Sequence, residues 1–470
     1  MPENKHLLSI FIMGSEVRQF VHAGLFSLLL DKGWKITVMA KVIDQDLPDQ
    51  LPKSVNLVPL LNSRPPFLPH EVTKIIDRAF ITRRKRKGYS TWKYGKTQTK
   101  NWRQNLLLSF EKASAFFLSL TNWGMSLASK IEKVQFKRMD RGNWEKYFRS
   151  HSIDAVLINV PRQAYWDPML TTAQEMGVKT FLIYHTAKDI VANGRLNHRF
   201  SSIGVWNDSM KRDLLELNPW IDPKTVSVVG SGHFDCVGRA EWLPQEPVFR
   251  NQIKADPDSH LIIYACAGPG IVPQEERYIA FVMHAIEKAE IKLGEKIQVV
   301  FRLNPMDNRD ILYDHLKQTY PDHIVLRPDW VDIRKSNWTY AKKPDTIFYN
   351  ALLHYASVCV TIPSTVTIDA ALSGLPVINL GIEVPGEQPL AGSIRAFWEV
   401  AFNKNVRETD AAKFVTTQED LEEELTNYLE NKHHDADKRI ALISKEVEGI
   451  QGGQSSKLSS IMIEELTYIK

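Results

Sequence analysis

Apolar and polar residues alternate in blocks along most of this 470-residue chain, and the blocks repeat one arrangement twice. Leu7–Met13 is an apolar run interrupted only by Ser9, as expected of a strand buried on both faces. Gly14-Ser15 supplies a turn. Val17, Phe20, Val21, Gly24, Leu25, Leu28 and Leu29 then recur at helical spacing, with a stop at Gly33. Lys35–Ala40 is a second strand, and a helical crossover of this length makes the two strands parallel. The alternation returns with strands at Asp154–Val160, Val178–Tyr184, Ile203–Trp206 and Val226–Val229 and helices at Ala164–Met176 and Met210–Leu217. Pro244, Pro247 and Pro257 punctuate the polar stretch Glu241–Asp258, which predicts a linker.

Beyond the linker the pattern starts again. Strands are expected at Leu261–Ala265, Ile297–Leu303, His323–Leu326, Ser357–Ile362 and Pro376–Leu380. Helices are expected at Glu275–Leu293, Asp310–Thr319, Thr346–His354 and Thr365–Leu372, followed by a helical tail over Gln418–Asn431 and Asp435–Leu466. The expected fold class is therefore α/β, with two Rossmann-like domains facing a cleft. The first covers residues 1–240, the second 256–432, and C-terminal helices fill 433–470. A cleft between two such halves is a natural small-molecule site.

Residues from about 62 to 143 break the pattern. They are helical in tendency, basic and aromatic, and predict an insertion in the first domain. Net charge over the whole chain is only +4, yet Arg78 to Phe110 holds ten Lys or Arg and no Asp or Glu. The basic run from Arg83 to Arg103 is interleaved with Tyr89, Trp92, Tyr94 and Trp102. That combination suits an anionic membrane surface or a lipid-diphosphate acceptor. A solvated loop is the plain alternative, and nucleic acid is the least favoured partner. The apolar stretch Leu106–Leu120 favours the membrane.

No segment offers the ~18–20 strongly apolar residues of a membrane span. Cys236, Cys266 and Cys359 are odd in number and far apart, so neither a disulfide framework nor a zinc knuckle is expected. The expected setting is cytoplasmic, with peripheral contact at the inner face of the membrane. No metal site is expected: there is no HExxH, and the DxD triplets at Asp44, Asp256 and Asp435 fall in a loop, the linker and the tail.

Ligands of open parallel sheets sit at the carboxyl ends of strands, so the loops there carry the candidates. In Thr361–Pro376 a strand ends, Pro363 breaks it, and Ser364 or Thr365 is placed to cap a short helix whose free N–H groups suit phosphate. Asp369 lies just over one turn on, where a carboxylate could accept ribose hydroxyls. The small residues of Tyr264–Gly270, Gly268 among them, would let a pyrophosphate approach the backbone. Arg302 could clamp a phosphate and Asn304 could donate to one. A plain N-cap, a turn and a strand-end salt bridge are the respective bland readings. In the first half, Gly14, Ser15, Glu16 and Arg18 follow the first strand; Glu16 could act as a base and Arg18 could hold an anion. His185 follows another strong strand, with a titration range suited to general-base work. Val229–Asp235 closes the half with His233 and Asp235.

Four of these pieces stand in an order that resembles the GT-B glycosyltransferases, and especially the bacterial enzymes of surface polysaccharides with their capsule and CDP-glycerol relatives. Pro363–Leu380 is similar to their C-terminal signature, with Asp369 where Glu is commoner. Phe301–Pro305 resembles their Arg-x-His-Pro element, with Asn304 in place of His. Val229–Asp235 resembles their domain-closing turn, and Tyr264–Gly270, the loop after the first strand of the second domain, is the fourth piece. Tyr184–Lys188 is similar to the Trp-His-Gly-Thr turn of glycerophosphotransferases, lacking its Trp and Gly.

The resemblance implies a nucleotide-sugar donor held by Gly268, Arg302, Asn304, Ser364, Thr365 and Asp369. It implies His185 or Glu16 as catalytic base, an acceptor side at Gly14, Ser15, Arg18, His233 and Asp235, and a glycan or lipid-linked acceptor. No cofactor and no metal are implied. A CDP-activated polyol-phosphate transferase, a sugar-nucleotide epimerase and a non-catalytic nucleotide-binding protein are the alternatives.

Overall fold

A computed structural model of the chain describes residues 5–61, 67–86, 102–138, 141–160, 166–192, 195–268, 271–305, 307, 310–333, 336, 338–386, 389, 392–399, 403–447 and 453–467. The chain divides into two compact units, Met1–Ser231 with Gly453–Lys470, and Gly232–Gly452.

The first unit is built on seven parallel strands: β1 (His6–Phe11), β2 (Lys35–Ala40), β3 (Asn56–Pro59), β4 (Ala155–Ile158), β5 (Lys179–Ile183), β6 (Ser202–Val205) and β7 (Val226–Val228). Their order is β3-β2-β1-β4-β5-β6-β7, and every pairing is parallel. This is the Rossmann order with one strand added, and it reverses direction between β1 and β4. Leu8, Ile10, Val38, Leu157 and Phe181 are fully buried along the strands, as continuous apolar runs require.

The helix expected after β1 is divided. A wide π turn covers Val17–His22, with the Ala23 N–H bonding back to the Arg18 carbonyl at 3.1 Å, and Gly24 at φ +95° starts a separate helix, Leu25–Asp31. The insertion forms three helices, Phe67–Arg86, Trp102–Ser119 and Asn122–Arg138. Tyr89, Trp92, Lys93, Tyr94, Lys96 and Lys100 of the basic run lie outside the described residues. The last helix, Gln454–Thr467, belongs to this unit although it ends the chain. It buries Leu458, Met462 and Leu466, spaced four apart, and packs on Leu25–Asp31. Ser455 Oγ donates to the Ala23 carbonyl at 3.0 Å, and Lys179 meets Glu465 at 3.2 Å.

The second unit repeats the plan with β8 (His260–Ala265), β9 (Ile297–Arg302), β10 (Ile324–Leu326), β13 (Val358–Thr361), β14 (Val377–Leu380) and β15 (Lys413–Val415). The order is β10-β9-β8-β13-β14-β15, all parallel, with the reversal between β8 and β13. A hairpin of β11 (Trp330–Ile333) and β12 (Trp338–Ala341) stands outside the main sheet. The segment expected to be a linker contains a helix, Glu246–Ile253, that starts with proline in its first turn and buries Phe249 and Ile253.

Candidate functional site

In the first unit, the two candidate loops after β1 and β5 meet the end of β4, beside the reversal where such sheets bind ligands. Gly14 takes a left-handed φ of +89°, and its carbonyl accepts the Val17 N–H at 3.0 Å. This tight turn folds Glu16 back over the end of β1. Glu16 is fully buried; its Oε1 accepts the N–H groups of Ile12 at 2.9 Å and Met13 at 3.3 Å, while its Oε2 is buried without a partner. Burial pushes the carboxyl above its ordinary range, against the two amides and the charge of His185, which favour ionisation.

His185 lies two residues beyond β5 and keeps 26% of its side chain exposed. Its Nδ1 lies 3.2 Å from Asp189 Oδ2, an ion-pair contact without hydrogen-bond geometry. Burial draws the imidazole's titration down, but the Asp189 carboxylate, with Glu16 and the Asn159 backbone adding to it, raises it above the ordinary histidine value. Glu16 and His185, expected as rival bases, therefore act on one another's charge. The frame around them is polar and buried. Asn159, after β4, donates from Nδ2 to Ser15 Oγ at 3.1 Å and Gln19 Oε1 at 3.3 Å. The Tyr184 carbonyl receives Gln19 Nε2 at 3.3 Å and Trp206 Nε1 at 3.0 Å, which fixes the backbone just before His185. Arg18 lies half-buried in the π turn.

Asp189, Asn159 and Gln19 were not among the sequence candidates. Asp189 carried a usable signal, an acid four residues after His185 in the first turn of a helix, Ala187–Ala192. Asn159 and Gln19 carried none, because their contacts are 140 residues apart.

In the second unit, the loops after β8 and β13 flank the reversal of the sheet. Thr361 Oγ1 ties the two strand ends together by donating to the Ala265 carbonyl at 3.0 Å. The N–H groups of Ala267 and Gly268, expected to meet a pyrophosphate, are already donated to the buried Glu275 carboxylate, at 2.5 and 3.1 Å. Gly268 stands at φ +87°, and a Cβ there would come within 3.0 Å of the Asn304 side chain. Asn304 in turn donates Nδ2 to the Ala267 carbonyl at 3.0 Å. Gly268 and Asn304 thus hold the loop's shape.

After β13, the helix spans only Val366–Leu372. Thr365 occupies its cap position without a side-chain hydrogen bond, so the hydroxyl cap expected of Ser364 or Thr365 is not formed. Among the described residues, the N–H groups of Ser364, Thr365 and Val366 meet no acceptor in the chain.

Three candidates that the sequence keeps apart are joined in one network. His233 Nε2 lies 2.6 Å from Asp369 Oδ1, and Tyr349 donates its hydroxyl to Asp369 Oδ2 at 3.1 Å. The Arg302 guanidinium lies 5.0 Å from the centre of the same Tyr349 ring and donates Nη2 to Asp345 Oδ2 at 2.7 Å. Asp345 also accepts Trp330 Nε1 at 2.7 Å and the Asp329 N–H at 3.2 Å. Asp345 and Tyr349 stand four apart on helix Lys343–Tyr355, so one helix face serves both ion pairs. Arg302 Nη1 is buried without a partner. Asp235 is buried in the short helix that begins at Gly232. Among the described residues, no group of three or more His, Cys, Asp or Glu side chains is placed to hold a metal ion.

No protein-family model matches the chain, and no curated protein matches its sequence. Solved structures do match over its whole length. A Listeria monocytogenes protein assigned as a UDP-N-acetylglucosamine 2-epimerase is 13% identical, with 99% of this chain and 98% of that one covered and a TM-score of 0.54. The UDP-GlcNAc 2-epimerase of Neisseria meningitidis, bound to UDP-GlcNAc, is 11% identical, with 98% and 100% covered and a TM-score of 0.52. That of Methanocaldococcus jannaschii, in complex with UDP-GlcNAc and UDP, is 12% identical, with 98% and 99% covered and a TM-score of 0.51. The architecture is the two-domain GT-B fold. At these identities the likeness extends to the fold and no further.

Proposed function

We propose that the chain is a glycosyltransferase that moves a sugar from a nucleotide-activated donor to a hydroxyl of a glycan or lipid-linked acceptor, without a metal ion. The observation that carries this reading is the His185–Asp189 pair at the end of β5. A partly exposed imidazole with a carboxylate 3.2 Å from Nδ1 has Nε2 to take a proton, which is the arrangement of a general base. In an inverting transfer, the acceptor oxygen bonds to the sugar's anomeric carbon, its proton passes to His185 Nε2, and the bond from that carbon to the diphosphate breaks. Glu16, buried beside the imidazole, favours the imidazolium that results. The donor's phosphates are assigned to the N–H groups of Ser364, Thr365 and Val366 and to Arg302 Nη1. Asp369, its two oxygens already tied by His233 and Tyr349, is assigned to the ribose. Surface-polysaccharide synthesis is the setting that the sequence resemblance suggests.

The first test is a thermal-shift panel of UDP, GDP, dTDP, CDP and CMP, with and without EDTA. A ligand at a hundred times its Kd adds about 2.7 kcal/mol to the folded state. For a unit of roughly 200 residues, that is a rise of about 5–11 °C in Tm. One nucleoside diphosphate is expected to give the rise, undiminished by EDTA. If no nucleotide shifts the transition at millimolar concentration, the donor assignment fails. If EDTA abolishes the shift, the metal-free assignment fails. A response confined to CDP or CMP favours polyol-phosphate transfer.

A sugar-nucleotide epimerase is the second reading, favoured by the full-length likeness to structures of that name. The two are separated by incubation with UDP-GlcNAc in deuterated water and no acceptor. An epimerase inverts a ring carbon of the intact sugar nucleotide and takes up deuterium there, whereas a transferase awaiting its acceptor leaves that carbon unchanged.

A further inference from the structure

The insertion helices Trp102–Ser119 and Asn122–Arg138 are amphipathic in the inverted sense. On the first, Trp102, Leu106, Phe110 and Phe117 share about 80° of arc at ~100° per residue. Trp102, Phe110 and Phe117 are 70%, 63% and 68% exposed. On the second, Trp123, Leu127 and Ile131 form a similar stripe, and Trp123 is 74% exposed. The opposite faces, turned inward, carry Glu111, Ala115 and Ser119 on one helix and Ala128, Glu132 and Phe136 on the other. A helix that packs on a protein core and faces water shows the reverse pattern.

The charges are arranged to match. From Arg78 to Arg138 the sequence holds fifteen Lys or Arg and only two acids, Glu111 and Glu132. Both acids are buried and neutralised from within: Glu111 by Arg78 at 3.1 Å, and Glu132 by a two-point contact with Arg195 at 2.6 and 2.7 Å. No carboxylate therefore remains on the exposed face, where Lys112, Lys130 and Lys133 flank the apolar stripes.

We propose that these two helices lie in the plane of an anionic lipid bilayer, with Trp102, Phe110, Phe117 and Trp123 entering the headgroup–acyl boundary and Lys112, Lys130 and Lys133 beside them meeting lipid phosphates. They do not cross it, for no described helix is long and apolar enough to span a membrane. A second copy of this chain is a poorer occupant, because its matching face would bring the same cationic surround against this one. This surface is independent of the donor and base assignments. It sharpens the acceptor's class toward a lipid-linked one.

The test is co-sedimentation of the full chain with phosphatidylcholine vesicles, with and without phosphatidylglycerol, beside sedimentation velocity of the chain alone. No donor or acceptor is needed, so the outcome stands apart from that of the transferase assay. The chain is expected to bind the phosphatidylglycerol vesicles and to prefer them by about tenfold or more, the preference fading as salt screens the contacts. Phe110→Glu with Phe117→Glu, both at exposed positions, is expected to lower that binding by about tenfold or more with Tm unchanged. Trp123→Glu alone should act in the same direction. Wild-type protein that stays in the supernatant with both kinds of vesicle overturns the proposal. So does binding that survives the double substitution, and so does self-association through this face without vesicle binding.

Discussion

His185→Ala is expected to lower turnover by about 10²–10⁴-fold, the ordinary loss on removing a general base. Donor affinity, measured by the nucleotide thermal shift, should hardly change, because His185 is assigned to the acceptor's proton. The pH profile gives a sharper readout. Asp189 and Glu16 raise the imidazole above its usual value, overcoming the pull of burial. The neutral, proton-accepting form is then populated only above that raised value, so the rate should climb with pH through a midpoint above the ordinary histidine one. Asp189→Asn removes the negative charge and should move that midpoint to lower pH while reducing the maximum rate.

The same shift acts on stability. A group whose folded pKa is raised lends stability that is complete below its unfolded pKa and fades as pH rises through the folded one. The melting temperature of Asp189→Asn should therefore fall relative to wild type at mildly acidic pH and converge with it at alkaline pH. Full turnover in His185→Ala would remove His185 as the base, and an unmoved midpoint in Asp189→Asn would separate it from its carboxylate.

Arg302→Ala is expected to destabilise the second unit by about 3–5 kcal/mol, the usual consequence of leaving a buried charge without its counter-ion. Asp345 retains the Trp330 indole and the Asp329 N–H, which places the effect toward the lower end. For a unit of roughly 200 residues, about 3 kcal/mol corresponds to a fall of about 6–12 °C in Tm. This matters for interpreting the site, since an inactive Arg302→Ala protein could simply be a less stable one. Arg302→Lys keeps the charge and loses the second donor direction of the planar guanidinium. Its stability should lie nearer wild type, while the nucleotide thermal shift should shrink if Nη1 binds phosphate. A Tm within 2 °C of wild type for Arg302→Ala, an allowance of about 0.5–1 kcal/mol, would mean that the pair with Asp345 contributes little.

The two Rossmann-like sheets were legible because buried parallel strands are written as nearly continuous apolar runs, and Leu7–Met13 and Leu261–Ala265 need no tertiary context to be recognised. Short edge strands such as Asn56–Pro59 and Lys413–Val415 carry too few apolar residues to stand out. The hairpin Trp330–Ala341 was missed because each of its strands is only four residues long. The helix in the expected linker was hidden by its prolines, which mark a helix start as readily as a break.

Site residues were legible where a loop follows a strong strand. Glu16, His185 and Arg302 stand at or within a few residues of strand ends, and Asp369 lies in the short helix that follows one. Their partners were not. His233 and Asp369 are 136 residues apart, and Tyr349 and Asp345 sit on a helix whose sequence shows only packing. For Gly268 the sequence identified a tight loop, but nothing local announced that Glu275 would take its N–H group.

The return of the final helix, Gln454–Thr467, to the first unit has a consequence for the order in which the molecule is made. Domains generally fold as units while the chain is being synthesised, the N-terminal one first. Here the N-terminal unit is finished last. Until its closing helix leaves the ribosome, the surface around Leu25–Asp31 lacks the cover of Leu458, Met462 and Leu466. The second unit, encoded without interruption between Gly232 and Gly452, has everything it needs earlier. A shortened chain that stops at Ser231 lacks the helix that covers Leu25–Asp31, and a joined chain that carries residues 453–467 before residue 5 would supply it.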